Sequence, residues 1–178
     1  MKATGIVRRI DDLGRVVIPK EIRKTLRIRD GDPLEIFTEK DGQVIFKKYS
    51  PMEGIGDFAP NICDAIYKTV GICAAICDRD TVIAASGISK KELVGRKISA
   101  QLENILAGRN VYSHSGDGKT VPLSGEAEKY KLICAVPVIS QGDILGAVTC
   151  FSPEPSVPDE CTVHMLKTFS TFLSREFE

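Results

Sequence analysis

The chain has 178 residues, of which 43% are apolar and 27% charged, with 24 basic against 24 acidic side chains. This balance is typical of one or two folded globular domains and excludes a disordered or fibrous chain. A net charge of zero also argues, for the chain as a whole, against a nucleic-acid binder, which usually carries a basic surplus. The order of the charges along the chain removes that objection.

The sequence predicts a cytoplasmic protein without membrane attachment. Its longest apolar run, Ile72 to Cys77, has six residues, whereas a spanning helix needs roughly 20. Arg8 and Arg9 interrupt any signal segment. The cysteines are expected to stay reduced as small buried residues; they are Cys63, Cys73, Cys77, Cys134, Cys150 and Cys161. Reduced cysteines form no disulfide, and since none falls in a CxxC pair we also predict no metal site; the sequence assigns no cofactor.

Charge divides the chain near residue 50. Residues 1–50 carry 12 basic and 8 acidic side chains, net +4, whereas residues 51–178 carry 12 and 16, net −4. Proline and glycine follow the division, as is typical of a joint between elements. We therefore predict a polyanion-binding module at 1–50, a linker at 51–55 and a second, acidic module at 56–178.

Short strands dominate the first module. Its pattern predicts, in chain order, a strand at Thr4–Ile10, a turn at Asp11–Gly14, a strand at Arg15–Ile18, a helix at Lys20–Leu26 after Pro19, and a hairpin of Leu34–Phe37 and Val44–Phe46 around Asp41-Gly42. About fifty residues arranged in this way bury too little core without disulfides or metal. We therefore predict an obligate dimer, in which each chain completes its core with the hairpins of its partner.

The string GRVVIPKEIR at residues 14–23 follows the predicted turn. This arrangement, over residues 3–49, resembles the swapped-hairpin DNA-binding domain of AbrB-type transition-state regulators, an all-β-rich fold with one short helix. The resemblance implies that two chains interleave their hairpins and that loop and helix cations contact double-stranded DNA. The matching positions are Arg8, Arg15, Arg23 and Lys24, with Arg9 beside the first, and these five are the predicted DNA-binding residues.

The charges support DNA binding independently of the resemblance. These five cations and Lys20 fall at predicted strand ends and on a short helix, where long side chains reach phosphates and binding depends strongly on salt. The alternative, a solvated basic face paired with Asp11, Asp12 and Glu21, is disfavoured by the motif. Since no recognition helix of usual length is predicted, selectivity is expected to come from DNA shape.

The second module alternates helices with hairpins. Its pattern predicts a helix at 55–70, a hairpin of Ile72–Cys77 and Thr81–Ala85, a capping box at Ser89, a helix from Ser99 to Gly108, a polar loop at 113–130, a hairpin of Leu132–Ile139 and Ile144–Phe151, and a helix from Asp159 to Glu178. This order predicts an α+β fold, an antiparallel sheet covered by helices. The closing hairpin resembles that of GAF sensor domains. The Asn-Lys pair that begins their cyclic-nucleotide signature is missing, so the sequence assigns no ligand.

An AbrB-type domain joined to a GAF-like domain resembles a family of regulators from endospore-forming bacteria. The resemblance implies a nucleoid-associated transcription regulator of sporulation genes, both activator and repressor. It also implies a homotetramer, in which the DNA-binding dimers are linked through GAF-like helices. The alternative is that the apolar stripes of the first and last helices of this module only cover their own sheet.

Three further interpretations stay open. A GAF-like cysteine-dependent reductase would use thiolates, although no cysteine has a flanking cation that would lower its pKa. An antitoxin-type swapped-hairpin DNA binder would carry a short disordered tail, whereas the residues after Ser50 have the pattern of a folded module. The glycine-rich loop at 113–130 is of the kind that lines a pocket for a small-molecule effector, against a purely structural role of the module. We predict a regulator rather than an enzyme.

Overall fold

The computed structural model describes residues 4–177. It divides the chain into two compact units, Met1–Tyr49 and Ser50–Glu178. The first three residues of the predicted DNA-binding domain and Glu178, the predicted end of the last helix, lie outside the described residues. In the described part of the chain, no helix is long and apolar enough to cross a membrane.

The N-terminal unit contains one short helix and one hairpin. Helix α1 spans Lys20–Leu26, and strands β1 (Leu34–Thr38) and β2 (Val44–Lys48) pair antiparallel. Pro19 precedes α1 with a φ of −59°, a value that suits the first helical turn, where the missing N–H is not needed. Both the helix and the hairpin confirm the predictions from the sequence.

The strands predicted at Thr4–Ile10 and Arg15–Ile18 are absent from the described single chain, so that prediction is wrong for one chain alone. The turn between them does form: Gly14 has a φ of 75° and donates its N–H to the Asp11 carbonyl at 2.9 Å. A strand requires a neighbour that satisfies its backbone N–H and C=O groups. The described residues of this unit provide no such ladder for either segment.

The C-terminal unit is a five-stranded antiparallel sheet with helices packed on it. Its elements are a 3-10 helix at Pro51–Ile55, α2 at Ala59–Val70, β3 at Cys73–Asp78, β4 at Val82–Ser86, a 3-10 helix at Lys90–Glu92, α3 at Ala100–Ala107, β5 at Tyr112–Ser113, β6 at Lys131–Ser140, β7 at Asp143–Ser152 and α4 at Glu160–Glu176. The strand order is β4-β3-β7-β6-β5. The predicted α+β architecture is confirmed.

Each face of this sheet has its own hydrophobic core. Successive residues of β3 alternate between the two cores, as the period of a strand requires. Helices α2 and α4 cover one face, where Ile66, Leu166 and Leu173 are fully buried. Helix α3 and the following loop cover the other face, where Leu102 and Phe151 are fully buried. The sheet therefore separates a helical outer layer from a layer built largely by loops.

Residues 51–55, predicted as a linker, form a 3-10 helix whose Met52 and Ile55 are buried in the core beneath α2. The helix predicted at 55–70 accordingly begins only at Ala59. Pro60 explains this start, because proline fits the first turn of a helix but lacks the N–H that an interior position must donate.

Helix starts were predicted best where a side chain caps the backbone. Ser99 accepts from the Leu102 N–H at 3.0 Å, and Asp159 accepts from the Thr162 N–H at 2.7 Å. The predicted capping box at Ser89 is different: it precedes a 3-10 helix of three residues and makes no side-chain cap bond.

Candidate nucleic-acid interface

The five cations predicted to contact DNA lie on three local segments of the N-terminal unit. Arg8 and Arg9 precede the glycine turn, Arg15 follows it, and Arg23 and Lys24 occupy the last turn of α1. Four of them are exposed, and Arg23 is half-buried. Long, exposed cations on turns and on a short helix are able to reach phosphates without an element that enters a groove.

The carboxylate of Asp11 organises the turn and contacts Arg15. Its Oδ1 accepts from the Leu13 N–H at 3.0 Å and from the Arg15 N–H at 2.8 Å, while Oδ2 accepts from Arg15 Nε at 2.7 Å. These bonds hold the pKa of Asp11 below its ordinary value, with the Arg15 backbone bond as the largest cause and the Arg15 side chain next. Asp11 is therefore ionised at neutral pH.

Arg23 is held through a terminal nitrogen of its guanidinium, whereas Arg15 is held through Nε. Its Nη1 donates to the Asp30 carboxylate, which is 92% exposed. Its Nε is buried without a hydrogen-bond partner among the described residues. The acidic partners predicted for the cations included Asp11 but not Asp30. The signal for Asp30 was the Asp30-Gly31 turn, which begins four residues after the end of α1 at Leu26.

Burial suppresses the thiolate form of the cysteines inside the C-terminal unit. It raises the pKa of Cys63, Cys77 and Cys150 to about 12 and that of Cys134 to about 11. Burial also raises the pKa of Cys73. A catalytic cysteine needs a lowered pKa, so these five thiols disfavour the reductase interpretation. Among the residues that the structure describes, no group of three or more histidine, cysteine or acidic side chains is placed to hold a metal ion.

The end of the loop at 113–130 is fastened to the body of the C-terminal unit. Glu92 accepts from Lys129 Nζ and from the Tyr130 hydroxyl, each at 2.6 Å. These two bonds, that from Lys129 first, hold the pKa of Glu92 below its ordinary value. Leu123, within the same loop, is fully buried in the core around Phe151. This loop therefore contributes to a packed core, and its role toward an effector stays a prediction from the sequence.

An apolar groove lies between α2 and α4 on the outside of the C-terminal unit. Its volume is about 430 Å³, and its lining residues are Phe58, Asn61, Ile62, Ala65, Phe169, Phe172 and Glu176. Phe172 is 47% exposed and lies outside the apolar stripe that the sequence predicts on the last helix, Leu166, Phe169, Leu173 and Phe177. Leu166 and Leu173 of that stripe are fully buried against the sheet. Helix α4 therefore covers its own sheet and also presents a second apolar surface.

Comparison with known proteins relates each unit to a family. Residues 54–178 match the family described as stage V sporulation protein T C-terminal, transcription factor, and residues 7–53 match antidote-toxin recognition MazE, bacterial antitoxin. Stage V sporulation protein T of Bacillus subtilis (strain 168) is 50% identical over 179 residues, 100% of this chain and 99% of that protein. The transition state regulatory protein AbrB of the same organism is 59% identical over 51 residues, 29% of this chain and 52% of AbrB.

Solved structures resemble the two units separately. The solution structure of the N-domain of the transcription factor AbrB is 57% identical and covers 29% of this chain and 96% of that chain, with a TM-score of 0.27. The GAF domain of an Acinetobacter phosphoenolpyruvate-protein phosphotransferase covers 72% of this chain and 82% of that chain, with 12% identity and a TM-score of 0.52. The second likeness shows that the C-terminal unit has a GAF-like fold.

An AbrB-type domain followed by a GAF-like domain defines the class of this protein, a transcription regulator. Within that class, two findings identify the family: the match over residues 54–178 and the 50% identity along the whole chain. The chain belongs to the stage V sporulation protein T family. The resemblance inferred from the sequence motifs is thereby confirmed.

Proposed function

We propose that this sporulation regulator binds double-stranded DNA through the five cations of its N-terminal unit, Arg8, Arg9, Arg15, Arg23 and Lys24. The observation that carries the proposal is the charge asymmetry, +4 over residues 1–50 against −4 over the rest. The related AbrB supports it, because a solved structure of its N-terminal domain is described as a DNA recognition domain. Neutralising phosphates releases counterions, and this release drives binding.

The N-terminal unit binds DNA as a dimer in this proposal. No residue between 4 and 49 is buried in the single chain. Val7, Leu13, Val17 and Ile36 are each more than 60% exposed, and exposed apolar surface of this extent is typical of an interface. A second copy that interleaves its hairpin would cover these side chains and would supply the strand neighbours that segments 4–10 and 15–18 lack.

Selectivity in this dimer comes from DNA shape rather than from a recognition helix. Helix α1 has seven residues and is therefore only about 10 Å long. A helix of this length presents few side chains to a groove. Cations that bind phosphates on both sides of a deformable sequence favour DNA that costs little free energy to bend or to narrow in its minor groove. The regulator is proposed to act on sporulation genes in both directions, as activator and as repressor.

Titration of a fluorescent promoter duplex with the full chain tests this function. We expect saturable binding at low salt, with a Kd in the range of roughly 10⁻⁸ to 10⁻¹¹ M that specific regulators reach. Folded protein that fails to bind any sporulation promoter would overturn the proposal.

The groove between α2 and α4 is proposed to join two dimers into a tetramer. Its proposed occupant is the same apolar surface of a second chain, because Phe169 and Phe172 line an apolar groove and closed symmetric assembly is the common way for identical chains to cover one. Replacing Phe172 with glutamate places a charge in that patch, and we expect the mass in light scattering to fall from four chains of 19.4 kDa to two.

Val157→Glu is the matched control for this variant. Val157 is 61% exposed, precedes α4 and does not line the groove, so its replacement should leave the tetramer intact. A wild-type mass equal to a dimer at micromolar concentration would refute the assembly. A Phe172→Glu protein that stays tetrameric would place the contact elsewhere.

We further propose that the chain acts as a regulator and not as an enzyme, in the cytoplasm at the nucleoid. The raised pKa values of the buried cysteines support this view against a thiolate reductase. The match of residues 7–53 to an antitoxin model raises the alternative of a toxin-binding protein. Against that alternative, the described residues after Ser50 form a folded GAF-like unit in place of a short disordered tail.

A further inference from the structure

Asp11 contacts Arg15 in a way that leaves the DNA-binding end of the guanidinium available. The contact runs from Nε to Oδ2 at 2.7 Å, on the side of the guanidinium nearest the backbone. Nη1 and Nη2, which form the fork that matches phosphate or guanine, are not used in this contact. The Arg15 side chain stays 70% exposed despite the pair.

The pair belongs to a rigid local frame. Asp11 donates its N–H to the Arg15 carbonyl at 3.0 Å, and its Oδ1 accepts the Arg15 N–H at 2.8 Å. Gly14 closes the turn through the Asp11 carbonyl at 2.9 Å. All of these bonds lie within five consecutive residues, so the frame is local to the turn.

Arg23 provides the contrast within the same unit. Its Nη1 donates to Asp30, so a terminal nitrogen of Arg23 is engaged, whereas the terminal nitrogens of Arg15 take no part in the contact with Asp11. The two acidic partners thus contact different atoms: Asp11 accepts from Nε, on the side of the guanidinium nearest the backbone, whereas Asp30 accepts from a terminal nitrogen.

We propose that Asp11 is a positioning residue that presents Arg15 to DNA, so that this carboxylate increases DNA affinity. The inference rests on the proposed function, since Arg15 must contact DNA for its orientation to matter. A fixed guanidinium loses less side-chain freedom on binding. Simple electrostatics predicts the opposite sign, because a carboxylate near phosphates repels them.

Asp11→Asn separates these two effects. Asparagine Oδ1 still accepts from the N–H groups of Leu13 and Arg15, as asparagine does in such turns, but its Nδ2 donates and cannot accept from Arg15 Nε. Asp12→Asn is the matched control, because it removes the same charge from the adjacent exposed position. Asp11→Ser is a second route, with a short hydroxyl that supports the turn and does not hold Arg15.

The affinity of the full-length variants for a promoter duplex gives the readout. We expect Asp11→Asn and Asp11→Ser to weaken binding about 5- to 30-fold, while Asp12→Asn leaves it unchanged or tightens it. In an Arg15→Gln background, Asp11→Asn should have no further effect, because the residue acts through Arg15.

Three results would overturn the inference or its basis. If the Asp11→Asn protein binds DNA as tightly as the Asp12→Asn protein while Arg15→Gln weakens binding, Asp11 does not position Arg15. The proposed function is unaffected by that result. An equal loss from Asp11→Asn with and without Arg15 assigns Asp11 to the fold of the turn instead. Arg15→Gln with unchanged affinity contradicts the proposed role of Arg15 itself.

Discussion

Simultaneous replacement of Arg8, Arg15 and Arg23 with glutamine is expected to lower the affinity for double-stranded DNA at least about 100-fold. Each arginine contact to DNA contributes roughly 1–3 kcal/mol, and the proposed dimer would present each arginine twice. Glutamine keeps the polarity and much of the length of the side chain, so the loss of affinity reports on the positive charge and on the forked donors of the guanidinium. Fluorescence anisotropy with a labelled duplex at low salt measures the change.

The control for this variant removes the same charge from another part of the chain. Lys90, Lys91 and Lys119 are exposed lysines of the C-terminal unit, and replacing all three with glutamine should change the affinity less than about 3-fold. Circular dichroism checks the fold of both proteins, since exposed ion pairs such as Arg15 with Asp11 contribute little to stability. Equal affinities of the two triple variants would refute the assigned interface.

Gly146→Ala is expected to lower the free energy of unfolding of the C-terminal unit by about 3 kcal/mol or more. A Cβ at this position would lie 2.0 Å from the carbonyl oxygen of Cys77 and 2.9 Å from Cα of Asp78. Both atoms belong to the backbone of β3, so no change of side-chain rotamer relieves the contact. Gly146 pairs with Asp78 on one side and Val138 on the other, and separating the strands would break the middle of the sheet.

Gly125→Ala is the matched control for this substitution. A Cβ at Gly125 meets no atom within 4 Å, and its backbone is outside the left-handed region, so the stability should change by less than about 0.5 kcal/mol. Urea unfolding followed by circular dichroism compares the variants. If Gly146→Ala is as stable as Gly125→Ala, the close pairing of β7 with β3 is wrong.

Features with local causes were predictable from the sequence. Pro19 sets the start of α1, Asp41-Gly42 the first hairpin, and Ser99 and Asp159 the starts of α3 and α4. Each of these signals acts within a few residues through a fixed φ, a tight turn or a side-chain cap. The order of helices and hairpins was enough to give the antiparallel α+β class of the second unit.

Features that depend on distant contacts were not predictable in this way. Met52 and Ile55 are buried by α2 and the sheet, which changed a predicted linker into part of the core. The pairing of β7 with β3 joins residues about seventy positions apart, and no local pattern specifies it. The strands predicted at Thr4–Ile10 and Arg15–Ile18 have the composition of strands, but a single chain offers them no neighbour to pair with.

The candidate site was predicted from its motif, and the structure changed the interpretation of the ion pair between Asp11 and Arg15. In the sequence, pairing with Asp11 was an alternative to DNA contact for the basic residues. In the structure, the pair uses Nε of Arg15 and leaves its Nη groups available, so pairing and DNA contact are compatible. A sequence cannot show which nitrogen of a guanidinium is engaged, whereas that choice decides whether the acid competes with DNA or assists it.

Salt dependence of DNA binding tests most directly whether the N-terminal cations bring this regulator to DNA. Each neutralised phosphate contributes about −0.9 to the slope of log Kobs against log salt concentration. We expect a steep negative slope for the wild-type chain and a shallower one for the variant without Arg8, Arg15 and Arg23. The difference should reach up to about 5, because the proposed dimer of this variant would lack six cations. A slope near zero in the wild type, or the same slope in both proteins, would contradict DNA binding through this surface.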